Sequence, residues 1–311
     1  MPDWVLTIII AWSVVLVLFI IYFIFTGAVF TKVSFKRREG DKDFAKNEDP
    51  RAKKDPDRIW YFSQTLEELN LESYDRLNIK GYFLNNKSNK LAILVHGYHG
   101  RYYSVVSQAR IFFENGFDVL CINNRTHDTS EGNLITMGKR EARDVNDWIK
   151  LMLKRNPNYH IALYGISMGG HIVMRVVSDK NVNQNIKCVI EDCGYNSLKK
   201  QLHHMLMLRQ IKLSKFILNL SELYSILFHH FSFSNTISKR FKNLKMPILL
   251  FHGGKDDYVP TENINLNYDA VPEGIYKEKH IFEDSVHTKC VVDHKQEYKE
   301  IVDNFVNKYI K

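Results

Sequence analysis

From residue 77 to the C-terminus, short apolar runs alternate with longer stretches of helical periodicity, and this rhythm limits the chain to few folds. Residues 77–84 read as an early strand, 91–95 as a buried one, 103–115 as a helix and 117–122 as the next strand. A helix over 139–155, a buried strand over 160–164 and a helix over 168–178 continue the pattern. Further buried strands are expected over 188–191 and 247–251, a last strand over 280–283 and an amphipathic closing helix over 294–309. Strands apolar on both faces must be covered on both, so the expected class is α/β: a mostly parallel central sheet flanked by helices. Residues 197–245 break the rhythm and read as an inserted helical cap.

The N-terminus carries a separate constraint. No charged residue occurs from Trp4 to Thr31, longer than the roughly 20 apolar residues needed to cross about 30 Å of hydrocarbon. A cleaved signal peptide is the competing reading. It fits less well, because Met1-Pro2-Asp3 offers no basic n-region and the apolar core is too long. Residues 1–31 are therefore expected to be a transmembrane anchor, 32–60 a charged linker and 61–311 the globular domain. Lys32, Lys36, Arg37 and Arg38 follow the apolar run and no Lys or Arg precedes it, which predicts a cytoplasmic domain.

The formal charge of +8 does not by itself imply nucleic acid, since the basic residues are interleaved with acids and no nucleic-acid-binding signature accompanies them. The four cysteines fall singly in or beside apolar runs, the setting of buried reduced thiols. No metal, nucleotide or redox cofactor is expected: the histidines lack HExxH spacing, and the glycine-rich turn lacks the Lys-Ser/Thr ending of a phosphate loop.

That turn is Gly165-Ile166-Ser167-Met168-Gly169, a G-x-S-x-G between an expected strand and an expected helix. A serine on such a sharp turn is a nucleophile candidate, and side chains at the glycine positions would collide across it. A serine hydroxyl needs a histidine base oriented by a carboxylate, and here the chain order is serine, acid, histidine. The acidic loop after the 247–251 strand offers Asp256, which leads Asp257; Asp192 is the remaining candidate. His287 follows the final strand on the edge facing Ser167. Oxyanion donors are expected from the N–H groups of Met168 and of Tyr98 in the His96-Gly97-Tyr98 turn. The apolar excess of residues 216–228 places Leu223 and Leu227 in an acyl pocket; a helix packed between cap and body without ligand contact and a membrane-facing lid are the other readings.

From about Leu77 onward the chain resembles bacterial α/β-hydrolases of the dienelactone hydrolase-like, monoacylglycerol lipase-like and prolyl-oligopeptidase-like group. The resemblance rests on His96-Gly97, on Arg125, His127, Ser130 and Gly132, on the serine turn and on the 253–260 loop. It implies an acid four residues before the loop proline, which selects Asp256. Thr126 and Asp128 depart from it, standing where glycine is usual. Membrane-anchored, fluorophosphonate-reactive members occur in low-GC Gram-positive bacteria, and this Lys-, Asn- and Ile-rich chain is similar to those. The implied activity is cleavage of a small-molecule or lipid-derived carboxylic ester; a serine peptidase and a non-catalytic binding protein on the same fold are the alternatives.

Overall fold

The computed structural model describes residues 1–36, 55–234 and 236–311. They divide into two compact units: Met1–Lys36 with Leu198–Asn235, and Arg37–Ser197 with Thr236–Lys311. Most of the charged linker, residues 37–54, lies outside the described residues.

The larger unit holds an eight-stranded sheet in the order β1-β2-β4-β3-β5-β6-β7-β8. Its strands are β1 Leu66–Glu72, β2 Asn78–Leu84, β3 Lys90–Val95, β4 Asp118–Ile122, β5 His160–Ile166, β6 Ile186–Asp192, β7 Ile248–Gly253 and β8 Lys277–Phe282. From β4 through β8 the pairings are parallel, while β1 and β2 join the edge antiparallel. The inner strands β3, β4 and β5 are buried along nearly their whole length, which is why they read as unbroken apolar runs.

Helices α3 Val106–Glu114, α4 Glu141–Arg155, α5 Met168–Val177, α9 Glu262–Asp269, α10 Cys290–Asp293 and α11 Lys295–Tyr309 follow the strands, with the short α8 Ile237–Arg240 preceding β7. The expected 103–115 helix is divided into a 3-10 turn, Tyr102–Val105, and α3. The globular body begins before residue 61. Asp55 caps α2 Pro56–Ser63 by accepting from the Asp57 N–H, and Pro56 occupies the first turn. Buried Asp57 then ties the helix down through Arg110 at 3.0 Å and Lys295 at 2.5 Å. Strand β1 had no counterpart in the sequence reading, because its Leu-Glu-Glu-Leu-Asn-Leu-Glu composition resembles a solvated helix face as much as an edge strand.

The smaller unit is helical. The N-terminal helix α1, Asp3–Ser34, is long and apolar enough to cross a membrane, and none of its most apolar 18-residue window is buried. The segment inserted between β6 and β7 supplies α6 Leu198–Leu208 and α7 Ser214–His229, and α7 packs along the C-terminal third of α1.

Candidate active site

β5 leads into Ser167, whose φ of 58° and ψ of −120° turn the chain into α5. This backbone is sterically costly for any residue with a Cβ, and the glycines on either side let it form. A Cβ on Gly165 would lie 2.2 Å from the Gly169 carbonyl oxygen, and one on Gly169 only 2.0 Å from that of Val95. The turn is pinned by the Ser167 N–H, which donates to the Asp192 carbonyl oxygen at 2.7 Å.

Two loops from neighbouring strand ends meet this turn. His287, after β8, has Nε2 2.9 Å from Ser167 Oγ and Nδ1 2.6 Å from Asp256 Oδ2. Asp256, after β7, accepts the N–H groups of Tyr258 (3.0 Å) and Val259 (2.9 Å) on Oδ1, which leaves Oδ2 for the imidazole. Burial acts to raise the Asp256 pKa, but hydrogen bonds from His252 and His287 outweigh it and bring it down to about 2. The group is therefore a carboxylate at neutral pH. Asp257 is exposed, and Asp192 lies behind the serine turn, bonded to Tyr164 and Tyr298.

His252 escaped the sequence reading. It is fully buried, its Nε2 donates to the Val259 carbonyl oxygen at 2.9 Å and lies 3.3 Å from Asp256 Oδ2. Burial works against its protonation, yet the bonds to Asp256 and Val259 leave its pKa above the ordinary value. It braces the acid loop from below. Position offered one signal: a histidine closing a buried strand beside an acidic turn.

Tyr98 lines the same cavity as Ser167, and Met168 follows Ser167 in the chain. Gly97 sits against Ser167, where an added Cβ would come within 3.1 Å of the serine Cβ, and Tyr98 follows it into the cavity. Met168 is the first residue of α5. The His96 turn is held by its own ring: Nδ1 donates to the Gly97 carbonyl oxygen at 2.7 Å, and Nε2 accepts the Asn124 N–H at 3.1 Å. Burial pushes His96 well below its ordinary pKa, which keeps the ring neutral for this double role.

The loop where glycine is usual keeps its left-handed backbone without glycine: φ is 69° at Thr126 and 46° at Asp128. Asp128 is held by Asn123 Nδ2 at 3.0 Å and by Arg101 at 3.4 Å. Arg125 in the same loop is buried and grips two carboxylates bidentately, Asp144 at 2.5 and 2.6 Å and Asp75 at 2.8 and 3.0 Å.

A cavity of about 480 Å³ opens over Ser167 and His287. Its walls include Arg58, Tyr98, Tyr103, Tyr258, Lys289 and Val292, all in the larger unit. The remaining candidates are Leu223 and Leu227. They lie in the smaller unit, 48% and 55% exposed. Helical periodicity cannot separate such a face from a pocket lining.

One further group lies close: ligand-type atoms of Cys193, Asp256 and His287 fall within 4.8 Å of one another. Burial, with Asp192 and Asp256 alongside, pushes the Cys193 thiol well above its ordinary pKa. Asp256 and His287 are already bonded to each other.

A serine on a strained strand-to-helix turn of a mostly parallel sheet, with acidic and histidine loops following in chain order, is the arrangement of the α/β-hydrolase fold. A model of the family described as serine aminopeptidase, S33, matches residues 86–222. The uncharacterized protein YqkD of Bacillus subtilis (strain 168) is 24% identical over 242 residues, 74% of this chain and 75% of its own. Among solved structures, the Pyrococcus furiosus esterase Pf2001 aligns with a TM-score of 0.67 at 20% identity, over 81% of this chain and 95% of its own. The Pyrococcus horikoshii acylaminoacyl peptidase aligns with a TM-score of 0.60 at 17% identity, over 83% of this chain and 44% of its own. The chain has the α/β-hydrolase fold.

Proposed function

We propose that the protein is a membrane-anchored serine hydrolase that cleaves carboxylic esters through an acyl-enzyme on Ser167. The reading rests on one observation, the continuous relay from Asp256 through His287 to Ser167 Oγ. Asp256 accepts from Nδ1–H, which leaves Nε2 as the acceptor for the serine proton. Ser167 Oγ then bonds to the acyl carbon, and the N–H groups of Tyr98 and Met168 receive the oxyanion. His287 passes its proton to the leaving alkoxide, and water repeats the sequence to release the acid. No metal or cofactor takes part in this scheme. The apolar α1 supplies the anchor, and the basic residues after it favour a cytoplasmic domain.

A peptidase is the second reading, favoured by the matching family model and by the peptidase among the similar structures. The cavity wall argues against a free α-ammonium group: it carries Arg58 and Lys289, and its wall carboxylate Asp55 already caps α2. The deciding experiment is a panel of esters of graded acyl length beside aminoacyl and peptide amides, with fluorophosphonate labelling of wild type and Ser167→Ala. Labelling that survives Ser167→Ala sinks the proposal, and amide turnover exceeding ester turnover selects the peptidase.

A further inference from the structure

We infer that the α6–α7 hairpin is itself a membrane-inserted element, seated in the same leaflet as the C-terminal part of α1. The inference rests on the reading of α1 as a membrane span. A hydrocarbon segment of about 20 residues placed anywhere within the uncharged stretch 4–31 includes residues 12–23. Tyr22 and Phe23 are therefore at hydrocarbon depth whatever register the bilayer takes. These are the residues α7 meets: the Phe216 ring stacks on Tyr22 at 6.4 Å, and Tyr224 meets Phe23 edge-on at 6.1 Å. One turn further on, Gly27 lets the helices approach closely, since a Cβ there would fall 2.2 Å from Tyr224 Cγ. Small residues at such crossings are the usual device for packing helices in lipid.

The outward side of α7 has the chemistry of that depth. Phe216, Leu223, Ile226, Leu227 and Phe228 are all exposed, and Phe25 and Val29 of α1 are exposed as well. Such a concentration of uncovered large side chains is unusual for a surface facing water. Between residues 216 and 228 the one charged side chain is Glu222, and it is buried. It accepts from Lys199 Nζ at 2.5 Å, Ser232 Oγ at 2.6 Å, Ser234 Oγ at 2.5 Å and the Phe233 N–H at 2.9 Å, so it presents no charge outward. At the hairpin tip Arg209, Lys212 and Lys215 are exposed beside Leu208 and Leu213. The exposed apolar face of α7 continues that of α1, which selects the lipid bilayer as the occupant.

The test uses the full chain in liposomes containing phosphatidylglycerol, with spin labels on Val14→Cys, Leu223→Cys, Leu227→Cys and Lys242→Cys. Power saturation compares collisions with oxygen, which concentrates in hydrocarbon, and with a water-soluble nickel chelate. The labels at 223 and 227 are expected to give an oxygen-to-nickel ratio several-fold above that at 242 and close to that at 14. Aqueous values at 223 and 227 with a lipid value at 14 would overturn the inference and leave the anchor intact. Dipolar broadening between labels at 227 would also overturn it, because a second copy of the chain would then cover the face. An aqueous value at 14 removes the anchor reading and the inference together.

Discussion

Replacing Asp256 by Asn alters one atom of the proposed relay, and the surrounding hydrogen bonds dictate the response. Oδ1 accepts two backbone N–H groups, from Tyr258 and Val259, while Oδ2 accepts from His287. The amide of Asn keeps one oxygen, which must stay on the two backbone donors, so its NH2 group faces His287 Nδ1. The imidazole answers by moving its proton to Nε2, and an Nε2–H donates to Ser167 Oγ where it should accept. The wrong tautomer in a triad costs about 10⁴-fold in kcat, or about 5.5 kcal/mol of barrier at 1.36 kcal/mol per tenfold. The assay is kcat/KM on a short-chain p-nitrophenyl ester, with circular dichroism to establish that the variant is folded. Asp257→Asn is the control, because Asp257 is exposed and His287 is bonded to its neighbour. A folded Asp256→Asn enzyme within tenfold of wild type, or a larger loss from Asp257→Asn, would refute the assignment.

Three further outcomes are expected. With its folded-state pKa near 2 against an ordinary 3.8, Asp256 contributes stability that is complete above pH 4 and lost as pH falls toward 2; its size is about 2 kcal/mol. Denaturant unfolding at pH 5 and pH 2 should find that part of the acid loss missing in Asp256→Asn, and an unchanged acid loss contradicts it. Arg125→Met strands Asp144, whose side chain is 3% exposed, and should cost 3–5 kcal/mol, roughly 10 °C in melting temperature; a shift under about 3 °C would mean the pair is dispensable. Thr126→Gly relieves a β-branched residue at φ 69° and removes a buried hydroxyl without a hydrogen-bond partner. It should raise stability by about 1 kcal/mol after the entropic cost of glycine is subtracted, and a lowered melting temperature would mean that the lost packing dominates.

Much of this molecule could be read before it was folded. Strands buried on both faces must be apolar at every position, so β3, β4, β5 and β7 announced themselves, and with them the parallel sheet. The serine turn was legible because its flanking positions admit no Cβ, a requirement written directly as glycine. The uncharged stretch 4–31 likewise declared a helix suited to lipid. Other features depend on distant parts of the chain. Asp256 and Asp257 are adjacent carboxylates, and their roles separate when the turn spends Asp256 Oδ1 on two backbone donors and aims Oδ2 at His287. Helix α2 looked like charged linker until Arg110 and Lys295, remote in sequence, closed around Asp57. The apolar surplus of residues 216–228 was visible as surplus, but periodicity does not say what an apolar face meets. The packing of α7 on α1 settled which side of it faces protein, because helix crossing depends on where a glycine meets a ring and not on hydrophobicity alone.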